Sequence, residues 1–318
     1  MDPGSAQRPG GPASVRAGAN GPRTPRYRIE RASRGYAVMG AEIRVWEPTF
    51  REASEWRDEL EAPGCRARLL SPAQPRSRPF TALVYGPVRS RRLGRSLGVN
   101  LSPPGLVVCS FDCVYCEFRR GGAGASGARW PAPADVARAL AHALARPRGL
   151  DSITISGHGE PTLHPRFAEV VKEVLAEARR ARPDVPVRIL TNATGALRPD
   201  VRHALDLLDE RIVKLDAGAL RVSRPVGQPL GGLLAAVSLL RDFVVQACFV
   251  EGSVSNTDEE TVHEWIELVR ELRPRAVQLY TIDRPPARAE VHPVAAAHLG
   301  AIARRLERAT GIPARAYR

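Results

Sequence analysis

From Phe80 onward the chain repeats one local pattern six times, a short apolar run rich in β-branched residues and then an amphipathic stretch. The runs are "LVVCS" near 106, "SITISG" at 152–157, "VRILTN" at 187–192, "RIVKLDAG" at 211–218, "FVVQACFVEG" at 243–252 and "AVQLYTID" at 276–283. Amphipathic segments lie at 133–146, 165–181, 199–208, 228–241, 258–272 and 293–310. Strands that are apolar throughout are those covered by helices, and a strict β-then-α order builds parallel pairing. The pattern predicts an α/β protein whose residues 79–318 form a partial (β/α)6 TIM-type barrel. A doubly wound open sheet is the alternative, because pattern alone does not separate the two.

Polar residues cluster where each predicted strand ends. Cys109 to Cys116, Gly157-His158-Gly159-Glu160, Asn192, Asp216, Glu251 and Asp283 all fall at or just past a C-terminal strand end. In a βα barrel that rim is where active sites are built.

Residues 1–78 differ in texture. The first 29 hold one acidic residue, Asp2, among Gly, Pro, Ser and Arg, a composition that buries little apolar surface. We read 1–78 as a low-complexity, largely disordered extension. Thr49-x-x-Glu52 matches a capping box, with Phe50, Ala53, Trp56 and Leu60 at helical spacing behind it. No run of 18 apolar residues and no signal-peptide core are present, which points to a soluble, cytoplasmic protein without a membrane span.

The formal net charge is +13, from 47 Lys plus Arg against 34 Asp plus Glu. Only Lys172 and Lys214 are lysines, so the choice of arginine reflects codon bias, but the excess of positive charge still favours an anionic partner. Arg89, Arg91, Arg92 and Arg95 precede the cysteines, and Arg119 and Arg120 follow them, which places guanidinium groups near the predicted mouth.

Cys109, Cys113 and Cys116 form a C-x3-C-x2-C loop, whereas Cys65 and Cys248 have no companion at short spacing. That usage suits a reduced compartment and a metal site better than a disulfide framework. Three thiolates are one short of a closed zinc or iron–sulfur site, so one metal position stays open for another ligand. Two other readings stand beside this. Zinc held by the cysteines with His158 or His164, or a redox-sensing cluster, would make a non-catalytic metal-binding protein.

The cysteine loop, with Tyr115 before its last cysteine, resembles the signature of the radical S-adenosylmethionine (radical SAM) superfamily. "YGPVRSRRLGRSLGVNL", "SGHGEPTLHP", "LTNATG", "KLDAG" and "VQLYTIDRPP" are similar to an Fe–S oxidoreductase subgroup related to wyosine-type tRNA-modifying enzymes. The resemblance implies a [4Fe–4S] cluster on Cys109, Cys113 and Cys116 whose open iron binds SAM. It implies SAM contacts at Gly157, Gly159 and Glu160 in the place of a GGEP-like motif, at Asn192 and Asp216, and at Tyr115 beside the adenine. His158 departs from that motif and reads as a neutral variant. Glu251, Asp283 and Arg284 fall nearer the substrate. The implied reaction is reductive cleavage of SAM to a 5′-deoxyadenosyl radical that abstracts hydrogen, with flavodoxin or ferredoxin as electron donor. The substrate is RNA (tRNA given the subgroup), an anionic metabolite or a peptide.

Overall fold

The computed structural model describes residues 28–32, 35–39, 44–47, 82–118, 128–145, 149–225, 230–284, 286 and 290–317. Strands β1 (Arg28–Ala32), β2 (Gly35–Met39) and β3 (Arg44–Glu47) form an antiparallel meander. The composition of the first 29 residues does not announce it. The capping box and the Phe50–Leu60 segment lie outside the described residues, as do Arg119 and Arg120.

The main sheet starts with an antiparallel hairpin, β4 (Val84–Ser90) and β5 (Gly94–Val99). Parallel strands β7 (Ser152–Ile155), β8 (Val187–Thr191), β9 (Glu210–Lys214), β11 (Phe243–Gly252), β12 (Ala276–Thr281) and β14 (Ala314–Tyr317) continue from β5 in chain order. Short strands β6 (Phe111–Cys113) and β10 (Ser223–Pro225) pair with each other, and β13 (Val291–Pro293) pairs with the end of β11. A doubly wound sheet reverses its strand order at a switch point. Here the order runs one way, so the sheet curls as a partial barrel of six βα units, with β14 added at one edge and β4 at the other.

Helices α1 (Pro133–Leu144), α2 (Phe167–Ala181), α3 (Pro199–Asp206), α4 (Ala219–Val222), α5 (Leu230–Ser238), α6 (Glu259–Leu272) and α7 (Ala296–Thr310) connect the strands. Helix α2 buries Phe167, Val170, Val171, Val174 and Ala178, the stripe expected at i, i+3, i+4, i+7 and i+11. Each such fully buried Val or Phe is worth about 1.5–3 kcal/mol of transfer free energy. None of the described helices is long and apolar enough to cross a membrane.

One expected strand is absent. "LVVCS" is loop, with Leu106 exposed, and the first parallel strand is "GRSLGV", earlier in the chain. Pro103-Pro104-Gly105 breaks the backbone ahead of the apolar run, while Arg95 and Ser96 disguise β5, whose Leu97 and Val99 are buried. The correction moves the cysteines from a strand end into the long β5–α1 connection, still beyond the C-terminal end of a parallel strand.

The lumen is built in register-aligned rows. Leu190, Ile212, Val244 and Ala276 stand opposite one another across four strands. Leu93, from the β4–β5 turn, packs on this row and closes the lumen near the starts of β11 and β12. Two residues further along each strand come Lys214, Gln246 and Gln278, and after them Asp216, Cys248 and Tyr280. The lumen therefore passes from an apolar floor to polar layers before it reaches the cysteine loop.

Candidate active site

A cavity of about 440 Å³ runs from the cysteines down to Leu93. Cys109, Cys113 and Cys116 all line it, and all three also line a smaller pocket of about 110 Å³ together with His158 and Phe118. The loop is pinned on both sides. Glu160 N donates to Val108 O at 2.9 Å on one side, and β6 pairs with β10, extended by Val114 N to Val222 O at 2.8 Å, on the other.

Donors are aimed at two of the sulfurs. Phe111 N donates to Cys109 Sγ and Phe118 N to Cys116 Sγ, each at 3.4 Å, and Asn192 Nδ2 lies 3.9 Å from Cys109 Sγ. Burial pushes the Cys116 thiol up to about 11, against the Phe118 N–H, and pushes Cys113 well above its usual range, with Asp216 adding to it. Such thiols give up their protons to a metal, and N–H groups pointing at sulfur suit the thiolate form. The donor set therefore fits a cluster held by these three side chains.

A single zinc ion fits less well. His164 Nε2 bonds Pro131 O at 2.9 Å and its Nδ1 accepts from Arg166 N at 3.1 Å, so both ring nitrogens are used. His158 is buried against Phe118, with ring centroids 5.6 Å apart, and engages the backbone at Pro103 and Leu106. Burial lowers its pKa, so the ring is held neutral. Among the described residues no group of three or more His, Cys, Asp or Glu closes around one ion.

The rim motifs divide into contacts with the cavity and supports behind it. A Cβ on Gly157 would collide with Asn100 Oδ1 at the end of β5, and one on Gly159 with Val108 O and Ser102 Oγ beside the cysteine loop, so both positions require glycine for close packing. Glu160 is buried. Its Oε1 accepts from Thr162 N (3.0 Å), Thr162 Oγ1 (2.7 Å) and Thr191 Oγ1 (2.5 Å), and its Oε2 from Asn192 N (2.7 Å). Asn192 also donates to Ser110 Oγ at 3.0 Å and accepts from Thr194 N and Oγ1, which holds Ala193 in the left-handed region at φ 62°. That conformation costs an alanine about 1 kcal/mol.

Asp216 lies behind the cavity wall. Its Oδ1 accepts from Cys248 N at 2.6 Å and pairs with Lys214 Nζ at 3.3 Å, and its Oδ2 accepts from Tyr115 OH. Lys214 faces the cavity, donates to Tyr280 OH at 2.7 Å and sits over the rings of Tyr115 and Tyr280. Burial works against its ammonium, but Asp216 and Tyr280 raise its pKa overall. At the mouth Arg91 pairs with Asp283 (3.3 Å) and Arg284 with Glu117 (3.1 Å), while Glu251 turns to His298 instead. Lys214, Tyr280 and Thr191 were missed as site residues. The available signal was an inward polar position in an otherwise apolar strand, most visible for Lys214 in a chain with two lysines.

A family model described as the radical SAM superfamily matches residues 105–218, from the cysteine loop through Asp216. The chain is also 35% identical over 211 residues to a UPF0026 protein of Synechocystis, across 64% of this chain and 76% of that one. The chain belongs to the UPF0026 proteins of the radical SAM superfamily. Members of this superfamily use a [4Fe–4S] cluster with SAM, and these are the cofactors of this radical SAM chain. It is 28% identical over 246 residues to a protein of Brachyspira hyodysenteriae named GTPase Obg, covering 74% of this chain and 35% of that one. Neither lysine here follows a glycine, so the G-x4-G-K-[ST] phosphate loop is absent from this chain. In fold it is similar to SuiB of Streptococcus suis, a structure bound to SAM, with 13% identity, a TM-score of 0.50 and coverage of 84% of this chain and 55% of that one. The radical SAM chain thus spans about a third of the Brachyspira protein and about half of SuiB.

Proposed function

We propose that this radical SAM enzyme cleaves SAM reductively at Cys109, Cys113 and Cys116 and takes hydrogen from an anionic substrate held in the barrel lumen. When bound, the cofactors supply one-electron chemistry that generates a hydrogen-abstracting 5′-deoxyadenosyl radical. The protein's part is to hold, orient and shield. The Phe111 and Phe118 N–H groups and Asn192 orient the sulfurs, and Gly157 and Gly159 let the backbone come close to the loop. Asn192 and the Gly157–Gly159 backbone are proposed to contact SAM directly. Glu160 and Asp216 are proposed to act through them and through Tyr115. The Leu93 row bars water from below, which suits a site that must confine a radical. A one-electron donor, proposed to be flavodoxin or ferredoxin, completes the system.

The observation that supports this reading most is that all three thiols share one cavity, with amide donors aimed at two of them, Cys109 and Cys116. Anaerobic reconstitution should give a brown protein with about four irons per chain, and SAM plus a strong reductant should yield 5′-deoxyadenosine. Alanine at Cys109, Cys113 or Cys116 should abolish both, whereas Cys248→Ala should keep both. A colourless protein carrying stoichiometric zinc overturns the proposal.

A further inference from the structure

We infer that Arg92 is the binding group for a compact anion, a carboxylate or phosphate of the substrate, inside the barrel lumen. This deepens the proposed function and rests on it for the identity of the reaction. Arg92 belongs to the β4–β5 turn, beside the Leu93 plug, and its guanidinium lies 4.1 Å over the centre of the Tyr280 ring. Its Nε and Nη1 are buried and have no hydrogen-bond partner, and among the described residues none of its nitrogens meets a carboxylate. The side chain lines the large cavity.

Its neighbours make the charge uncompensated. Arg91 is neutralised by Asp283, Arg284 by Glu117, and Lys214 by Asp216. Arg92 therefore adds an unpaired, half-buried cation to the lumen, where two of its buried nitrogens gain a partner when a counter-charge arrives. Stacking on Tyr280 holds the guanidinium plane in place, so a ligand finds it preorganised. Arg92 reaches from the β4–β5 turn to Tyr280, near the C-terminal end of β12, and so comes from a different segment than the loops carrying the three cysteines, Gly157 and Asn192. Among the described residues, Arg91 and Arg284 at the mouth are already paired with carboxylates. A small anion reaching inward fits better than an RNA backbone lying across the rim.

The test uses the full chain with its cluster reconstituted, titrated by calorimetry with inorganic phosphate, with acetate and with SAM. Wild type should bind phosphate or acetate, and the tighter of the two names the anion. Arg92→Gln should weaken that binding about tenfold or more, the loss of a charge-assisted hydrogen bond. Arg91→Gln, whose charge is already paired, should weaken it less than about twofold. SAM affinity should stay within about twofold in Arg92→Gln. Equal anion binding by wild type and Arg92→Gln, or none by wild type, overturns the inference. So does competition between phosphate and SAM with a parallel loss of SAM affinity, which would assign Arg92 to the SAM carboxylate. Should Arg92→Gln not fold, Arg92→Lys decides: retained phosphate binding supports the site, and none in either protein overturns it. Salt-sensitive RNA binding that Arg92→Gln leaves unchanged also overturns it. Wild type that binds phosphate but never cleaves SAM would sink the proposed reaction and leave the anion site standing.

Discussion

The Glu160 carboxylate accepts four hydrogen bonds from the protein itself, which changes what its loss should do. Read from the sequence, Glu160 is a direct SAM contact. Glu160 lines the cavity, and it also ties the end of β8 and Asn192 to the loop behind the cysteines, so we propose a positioning role for it. Glu160→Ala would orphan two backbone N–H groups and two hydroxyls in the interior, at about 1–3 kcal/mol for each group left unpaired. The expected result is a lower unfolding free energy without SAM and weaker SAM binding together, measured by denaturant titration and calorimetry. Weaker SAM binding at unchanged stability would return Glu160 to direct contact. Asp216 follows the same logic, with its oxygens committed to Tyr115, Lys214 and Cys248 N.

At the scale of elements, α6 is started by Asp258, whose carboxylate accepts from Thr261 N at 3.0 Å. The Thr261 hydroxyl and N–H, with Arg221 beyond them, hold its pKa down to about 2. A lowered pKa means that the folded state binds fewer protons than the unfolded chain. The cap therefore contributes fully above the ordinary carboxylate value of 3.8 and is lost as pH falls through about 2. Asp258→Ala should cost about 1 kcal/mol at neutral pH. The gap between variant and wild type should close below about pH 2, as followed by unfolding across an acid series. A gap that persists there would show that the cap does not work through its charge. Six of the seven described helices were legible because each buries one stripe, and their ends shifted by only a few residues, while the single-turn α4 was not anticipated. "LVVCS" was misread because an apolar run says that a segment is covered, not that it pairs. Val108 O is used by Glu160 N, so part of that backbone serves the site rather than the sheet.

Across the whole molecule, the main sheet begins with β4, at Val84. A chain starting near Ser77 should fold, bind iron and cleave SAM, measured by circular dichroism, iron content and 5′-deoxyadenosine yield. Insolubility or loss of iron would show that residues 1–76 are part of the folded unit. Period, order and composition within the sequence determined the βα units, the parallel sheet, the rim and the three candidate thiol ligands, because these depend on neighbours a few residues apart. Which residues of different strands meet was decided by tertiary structure alone. Lys214 stands opposite Gln246, Cys248 opposite Tyr280, and Leu93 and Arg92 reach from the β4–β5 turn to the far wall of the lumen. Register and curl set those meetings, and both are fixed by packing the entire sheet against its helices, so no local window of sequence contains them.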